Sequence, residues 1–326
     1  MSQSTPRHGN DAVVLLLRVL ARLPLSWVTA LGAALAWLIS WLPLSMASAY
    51  RATLVNIMLC YPELDYRSAA RLARRSLLET GRTLGEFSHV WCHPAEVSLA
   101  RVKQVTGLDA LRASYAAGRP VLLLTLHQSS WEIPCLVVGQ EGPMTVFYQP
   151  GANEALNQLV VNGRQGTGAT LVPADARGVK AGIAALNRRE AVAILVDHTP
   201  HGSNNPSVPF FGHPVRTSNL TYKFIQRYQP DIYFVGCHRR NGADDIAVYL
   251  EPAPASMYDA DEATTLAEMN RVLAELISRW PEQYYWVYKR LRRRDGEKRR
   301  YYRKEVVPFL REARRRNSTL DVSRLP

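Results

Sequence analysis

From residue 121 onward, short apolar runs alternate with longer segments that have helical spacing. Five runs have the length and composition of buried strands; they cover residues 121–126, 145–148, 192–196, 232–237 and 246–250. Helices are predicted between and after them, at residues 153–163, 179–188, 218–228 and 262–280, with an amphipathic helix earlier at 69–84. Strands and helices that alternate in this way pack most readily as parallel strands covered by helices. The sequence therefore predicts an α/β layered domain with a mostly parallel central sheet flanked by helices.

The first apolar run ends directly on His127, and a carboxylate, Glu132, follows five positions later. A side chain at the end of a parallel strand projects into the crevice where open α/β sheets usually bind ligands. A carboxylate at one ring nitrogen fixes the tautomer and leaves the other nitrogen able to take a proton. We therefore expect His127 to act as a general base on a hydroxyl group, with Glu132 turned back to orient its ring. A purely structural His–Glu pair is the alternative, because this spacing often arises by chance.

Two serines, Ser129 and Ser130, lie between these residues. A hydrolase that uses one of them as its nucleophile is therefore an alternative function, although the G-x-S-x-G motif that would support it is absent from the sequence. We expect the two serines instead to cap the helix that follows.

The N-terminal part of the chain carries a long uncharged segment. Residues 23–50 contain no charged residue, and residues 25–42 are almost wholly apolar, with three tryptophans. A helix of about 20 residues spans the roughly 30 Å of membrane hydrocarbon, and Pro24 and Pro43 suit its two ends. This pattern predicts an N-terminal membrane helix. An interfacial helix and a buried core helix are the alternatives, and basic residues on both sides leave the orientation open.

The basic charge of the chain is concentrated near its C-terminus. The whole chain has a formal net charge of +12, and residues 289–316 contain 14 Lys/Arg and 4 Asp/Glu, a net of +10. Such a segment attracts phosphates, an acidic protein or an anionic membrane. Tyr301 and Tyr302 lie within this segment, and their rings could stack on nucleic-acid bases. A non-enzymatic adaptor that binds nucleic acid or anionic lipid is therefore an alternative function.

Cysteine and histidine spacing predicts no metal site. The four cysteines lie far apart and form no CxxC pair, which is typical of a reducing compartment. His89, Cys92 and His93 are close together, but no second ligand cluster completes a site. We see no glycine-rich nucleotide motif and expect no cofactor.

Several further motifs accompany the His127 element. They are Arg51-Ala-Thr-Leu-Val-Asn56, Cys60-Tyr61-Pro62-Glu63, Arg164, Arg177-Gly178, Leu195-Val-Asp197, Val208-Pro-Phe-Phe-Gly212, Thr217, and Pro281-Glu-Gln-Tyr-Tyr-Trp286 followed by Lys289-Arg290. From about residue 13 to about residue 303, the chain resembles the lipid A biosynthesis acyltransferases, the late lauroyl and myristoyl transferases of Gram-negative envelopes. The His-x-x-x-x-Glu element is shared with the wider glycerolipid acyltransferase superfamily. The Pro-Glu-Gln-Tyr-x-Trp and Pro-Phe-Phe-Gly elements narrow the resemblance to this branch.

The resemblance implies an inner-membrane enzyme with its active site facing the cytoplasm. Such an enzyme moves an acyl chain from acyl carrier protein to a hydroxyl of a lipid A precursor, and nucleic acid is not an expected partner. We expect an N-terminal anchor at residues 1–50, an acyltransferase domain at 51–303 and a basic tail at 304–326. Family members often carry Asp-Gln where this chain has Asp197-His198.

The chemistry of such a transfer suggests roles for individual residues. His127 would take the hydroxyl proton, and Glu132 would stabilise the imidazolium as it forms. Arg164 is the candidate for binding either the oxyanion or an acceptor phosphate. Further candidates for substrate binding are Asp197, Arg216 and Lys223. Candidates for docking the carrier protein or the membrane are Arg292, Arg293 and Arg294.

Overall fold

The computed structural model describes residues 9–151, 153–165, 168–200, 204–258, 261–294, 297–298 and 301–325. The described chain begins with helices before any strand appears: α1 Gly9–Leu20, α2 Leu25–Trp41, α3 Ser48–Cys60, α4 Tyr66–Cys92 and α5 Ala95–Leu99. The long helix α4 starts where the Asp65 side chain accepts a hydrogen bond from the Ser68 N–H at 2.8 Å. This carboxylate is a typical N-cap, which satisfies a main-chain donor that the helix itself cannot use.

Strands and helices alternate in the rest of the chain. The strands are β1 Val102–Thr106, β2 Val121–Thr125, β3 Met144–Tyr148, β4 Ala169–Pro173, β5 Ala191–Leu195, β6 Ser207–Phe210, β7 His213–Arg216, β8 Asp231–Arg239, β9 Ile246–Pro252, β10 Arg293–Arg294 and β11 Glu297–Lys298. The helices are α6 Leu108–Ala116, α7 Ile133–Gly139, α8 Glu154–Gln165, α9 Ala176–Asn187, α10 Leu220–Tyr228, α11 Glu262–Arg279 and α12 Val307–Arg316.

Seven strands form the central sheet, in the order β1-β9-β8-β2-β5-β3-β4. The five strands from β8 to β4 are parallel, which confirms the α/β class and the mostly parallel sheet. Strand β9 is antiparallel to β8, and β1 is parallel to β9. The reason is the short loop at residues 240–245, because a hairpin needs few residues whereas a parallel crossover needs a dozen or more.

The sheet is buried on both faces. Along β2, Leu122 and Leu124 belong to one apolar cluster, whereas Val121 and Leu123 belong to another on the opposite face. This alternation follows from the two-residue period of a strand. The first cluster also contains Leu310 of α12, so residues assigned to the basic tail pack with the residues of the sheet. The proposed domain boundaries stay a prediction.

The apolar N-terminal segment packs along α4. None of the helices in the described ranges is long and apolar enough to cross a membrane, which corrects the predicted N-terminal membrane helix. Helix α2 ends at Trp41 because Leu42 is extended, as expected for a residue that precedes a proline. Its inner side meets α4 at Gly32, where a Cβ atom would lie 2.1 Å from the Gly81 carbonyl oxygen. The two helices therefore touch main chain to main chain.

The outer faces of α1 and α2 carry large apolar side chains that the protein leaves uncovered. Trp27 is 68% exposed and Leu35 is 53% exposed. Others on the same two helices are Val13, Leu15, Leu16, Val19, Leu31, Trp37, Leu38 and Trp41. The segment is therefore not a buried core helix, and an apolar surface of this kind is typical of a membrane or partner contact.

Candidate active site

The central sheet places the ends of β2 and β5 side by side. Thr125 pairs with Leu195, and the N–H of Val196 donates to the carbonyl of Thr125 at 3.1 Å. The chain therefore leaves both strands at the same edge of the sheet, the usual ligand crevice of open α/β folds. His127 and Asp197 meet there although 70 residues separate them.

Asp197 holds His127 through both carboxylate oxygens. Its Oδ1 atom is 2.8 Å from the ring Nδ1, and its Oδ2 atom accepts the main-chain N–H of His127 at 2.8 Å. The Asp197 side chain is 1% exposed, whereas the His127 side chain is 29% exposed. Because Nδ1 donates to the carboxylate, Nε2 is the nitrogen available to accept a proton.

The pair changes the pKa of both residues. Burial by itself lowers the pKa of His127, but the charge of Asp197 and its hydrogen bond outweigh burial, so this pKa is raised above its usual value. Burial raises the pKa of Asp197, but the charge and hydrogen bonds of His127 and the charge of Arg290 hold it far below its usual value. Asp197 is thus ionised, and the ring must lose its proton before it can act as a base.

Glu132 does not orient the His127 ring, which corrects the pairing expected from the sequence. Its carboxylate accepts two hydrogen bonds from Arg164, at 2.6 Å from Nε and 2.5 Å from Nη2. The Glu132 side chain is 3% exposed and that of Arg164 is 16% exposed. A buried carboxylate is best stabilised by a two-pronged guanidinium contact, and Asp197 already occupies Nδ1 of His127.

A glycine sets the position of Arg164. Arg164 lies in the last turn of α8, directly after Gly163. A Cβ atom on Gly163 would lie 2.8 Å from the Cα atom of Trp91 in α4. Only glycine permits this close approach of the two helices, and the approach brings the guanidinium to Glu132.

The Pro281–Trp286 motif anchors the loop after β2. The N–H of Tyr285 donates to the carbonyl of His127 at 2.9 Å, and the N–H of Ser129 donates to the carbonyl of Gln283 at 2.7 Å. Ser129 has a φ of +53°, a left-handed conformation that a non-glycine residue holds only when its surroundings impose it. The motif therefore acts through main-chain contacts that place His127.

A buried ion network lies behind this loop, and no local spacing in the sequence predicted it. Arg239, at the end of β8, donates from Nε to Glu86 at 2.7 Å and from Nη1 to Glu79 at 2.8 Å. The Ser130 hydroxyl donates to Glu86, and Arg101 lies 3.1 Å from the same carboxylate. Burial raises the pKa of Glu86, but the charges of Arg239 and Arg101 outweigh burial and lower it.

The Ser130 hydroxyl belongs to this network, whereas Ser129 holds the loop through its main chain. Ser129 and Ser130 are both buried, so neither hydroxyl is presented to a substrate, and the hydrolase alternative loses its nucleophile. The first turn of α7 has no side-chain cap, which corrects the expected capping role. The Thr83 hydroxyl donates to the carbonyl of Ser129 at 3.1 Å and further holds the loop.

Arg290 supports the segment that carries Asp197. Its Nη1 donates to the carbonyl of His198 at 2.9 Å, its Nη2 donates to Asn270 at 3.1 Å, and its guanidinium lies 4.7 Å from the centre of the Phe210 ring. The Pro-Phe-Phe-Gly and Lys-Arg motifs therefore meet beneath the site. The ring of His198 contacts the carbonyl of Leu195 at 2.6 Å, and burial lowers the pKa of His198.

The other basic residues that the sequence suggested for binding lie outside the hydrogen-bonded group around His127. Arg216 is on β7 and Lys223 is an exposed residue of α10. Within the described ranges, the hydrogen bonds of His127, Glu132 and Asp197 go to other residues. Arg292 is exposed, and Arg293 and Arg294 form β10, which pairs with β11.

Two other groups named from the sequence have structural partners. His89 and His93 hydrogen-bond to the carbonyls of Leu23 and Ala21 between α1 and α2, at 3.0 and 2.8 Å. Tyr301 and Tyr302 are buried, and the Tyr302 hydroxyl donates to Asn56 at 2.5 Å. The two tyrosines therefore do not present rings for stacking on nucleic-acid bases.

We expect the substitution Asp197→Asn to lower the pKa of His127. The wild-type ring should titrate above about 6.5, the ordinary value for histidine, because the carboxylate favours the imidazolium. Without that charge, burial dominates and the pKa should fall below the ordinary value. NMR of ¹⁵N-histidine-labelled protein across pH 4–9 measures this directly, with Glu132→Gln as the comparison. An unchanged His127 titration in Asp197→Asn would contradict the assignment.

Known proteins are similar to this chain over most of its length. The sequence profile of the bacterial lipid A biosynthesis acyltransferases matches residues 3–293. The lipid A biosynthesis lauroyltransferase of Escherichia coli (strain K12) is 27% identical over 297 residues, which is 85% of this chain and 96% of that protein. The palmitoleoyltransferase of the same strain is 26% identical and covers 73% of this chain and 77% of its own length.

The lipid A biosynthesis myristoyltransferase of Escherichia coli (strain K12) is a third relative. It is 22% identical and covers 80% of this chain and 81% of its own length. The profile extends over the seven strands of the central sheet, the His127 and Asp197 positions and the Pro281–Trp286 motif. The chain therefore belongs to the bacterial lipid A biosynthesis acyltransferase family.

Proposed function

We propose that this acyltransferase moves a fatty acyl chain from acyl-acyl carrier protein to a hydroxyl of a lipid A precursor, with His127 as the general base. The observation that carries the proposal is the His127–Asp197 pair, with its ring partly exposed at the carboxyl edge of the sheet. Relatives that transfer lauroyl, palmitoleoyl and myristoyl groups in lipid A biosynthesis support the substrate class.

In the proposed reaction, Nε2 of His127 takes the proton of the acceptor hydroxyl as its oxygen attacks the thioester carbonyl. Asp197 stabilises the imidazolium that forms. Collapse of the tetrahedral intermediate breaks the C–S bond, and the departing thiolate takes the proton back from the ring. The acyl chain passes directly to the acceptor, so no acyl-enzyme forms.

Arg164 stays our candidate for contacting the oxyanion or an acceptor phosphate, as a guanidinium suits both. Arg164 and Glu132 line one cavity together with Trp131, whose ring centroid lies 5.2 Å from that of His127. Glu132 would act as a positioning residue that fixes the guanidinium. Arg216 and Lys223 stay secondary candidates for the acceptor.

Replacing the base tests the proposal. His127→Ala should reduce transfer by about 10²–10⁴-fold, the usual contribution of a general base, without loss of folding. His213→Ala is the control, because His213 is a partly buried histidine on β7 that contacts the carbonyl of Leu59. Mass spectrometry of lipid A from cells that carry each variant measures acylation. Normal acylation by a folded His127→Ala protein would refute the mechanism. If the enzyme instead acylates another glycolipid or glycerolipid, that lipid is the acceptor in place of the lipid A precursor.

The outer faces of α1 and α2 would hold the enzyme at the cytoplasmic surface of the inner membrane, as interfacial rather than spanning helices. Their exposed tryptophans suit the headgroup region. Arginines adjoin this apolar face, since the guanidinium of Arg74 lies 4.8 Å from the centre of the Trp41 ring. Arg71 and Arg75 are exposed on the same helix, α4, where they can contact anionic headgroups.

A charge placed on this face should weaken membrane binding. Trp27→Asp and Leu35→Asp each remove a large apolar contact, which corresponds to a loss of more than about tenfold in vesicle affinity. The control is Ala117→Asp, which adds the same charge at an exposed position after α6. Co-sedimentation with anionic phospholipid vesicles measures the affinity. Equal binding by all variants would exclude α1 and α2 as the contact.

The basic segment would dock the acidic carrier protein through Arg292, Arg293 and Arg294. Charges at the rim of an interface change association rate and salt dependence more than chemistry. Reversing all three to Glu should raise KM for acyl-acyl carrier protein several-fold and flatten its salt dependence, with little change in kcat. Reversing Arg314, Arg315 and Arg316 of α12 is the matched control for net charge. An effect confined to the lipid acceptor would contradict carrier docking.

A further inference from the structure

A row of aromatic rings runs from His127 to one face of α4. The ring of Trp131 lies edge-on to the His127 ring, with centroids 5.2 Å apart, and also edge-on to Phe87 at 5.2 Å. Phe87 in turn stacks on Trp91, with centroids 4.3 Å apart. Trp131, Phe87 and Trp91 are each partly exposed. We call these three residues the aromatic strip.

The aromatic strip continues into the apolar outer surface of the protein. Leu84, Phe87 and Trp91 are spaced at i, i+3 and i+7 and therefore share one face of α4. Leu84 is 50% exposed. It lies between Gly81 and Gly85, the two glycines at which α2 crosses α4, so the strip leads toward the contact between α2 and α4.

The surface of the strip suits a hydrocarbon chain. Its rings present flat apolar faces, and neither Leu84 nor any of the three residues of the strip carries a charge. The Trp91 Nε1 atom is buried, so the strip does not present this polar atom at its surface. Narrow, ring-lined apolar surfaces that end at a polar group are typical of lipid-chain sites.

We propose that Leu84 and the aromatic strip bind an alkyl chain of the lipid acceptor and lead its hydroxyl to His127. This inference rests on the proposed function and identifies where one substrate lies. The acceptor is favoured because the strip opens on the apolar face that we assign to the membrane. A donor chain would arrive instead with its carrier, from the basic side of the molecule.

Photolabelling tests the site without requiring turnover. His127→Ala protein is incubated in detergent micelles with a long-chain fatty alcohol that carries a diazirine at mid-chain, is irradiated, and is mapped by peptide mass spectrometry. We expect label at Phe87, Trp91 or Trp131 and expect the lipid A precursor to displace it. Label that only acyl-acyl carrier protein displaces would assign the strip to the donor and overturn the proposal. Label confined to α1 and α2 would also overturn it.

Kinetics provide the second test. Phe87→Ala should raise KM for the lipid acceptor about tenfold, as expected for losing a half-buried ring contact, with kcat and the donor KM unchanged. Phe87→Leu should restore the acceptor KM to within about twofold, because it restores apolar area without the ring. Leu84→Ser, at an exposed position that folding tolerates, should raise the acceptor KM several-fold.

Phe309→Ala is the control, since Phe309 is a partly buried phenylalanine on α12. It should leave both KM values unchanged. An unaltered acceptor KM in Phe87→Ala and Leu84→Ser would refute the strip even if lipid A acylation proceeds normally. Failure of the proposed function is a separate outcome, because it appears as absent lipid A acylation by the unmodified protein.

Discussion

Two hydrogen bonds that one histidine donates to one buried carboxylate organise this active site. Asp197 contacts both the ring and the main chain of His127. A carboxylate that is 1% exposed is stable only when it is paired and fully hydrogen-bonded. The contact exists only because β2 and β5 are neighbouring parallel strands. Arg290 below Asp197 and Tyr285 beside His127 then hold the two ends of this pair in place.

Two further buried ion pairs lie near the His127–Asp197 pair, and each joins distant parts of the chain. Glu132 with Arg164 connects the start of α7 to the end of α8, and Glu86 with Arg239 connects α4 to the end of β8. Breaking such a buried pair leaves an uncompensated charge, at a cost of about 3–5 kcal/mol. The networks therefore make the loop after β2 rigid, and its left-handed Ser129 is stable only in that setting.

The proposed substrates would approach from different sides. The exposed faces of α1 and α2 suit the hydrocarbon edge of a bilayer, whereas the segment around Arg292 suits an acidic soluble carrier. The partly exposed ring of His127 is the point at which a membrane-held hydroxyl and a carrier-held thioester would meet. In this arrangement neither substrate has to enter a closed interior, and the aromatic strip would supply a continuous apolar path to the ring.

The sequence by itself determined the elements that depend on local pattern. All five predicted strands form, β2 ends beside His127, and the Pro281–Trp286 motif belongs to the site. Local periodicity suffices for these because it records which faces of an element are buried. Only the tertiary structure decided the partners: Asp197 rather than Glu132 on His127, Arg164 on Glu132, Arg239 on Glu86, and α2 packed against α4. These contacts join residues far apart in the chain, and strand order and helix packing, which no local spacing encodes, bring them together.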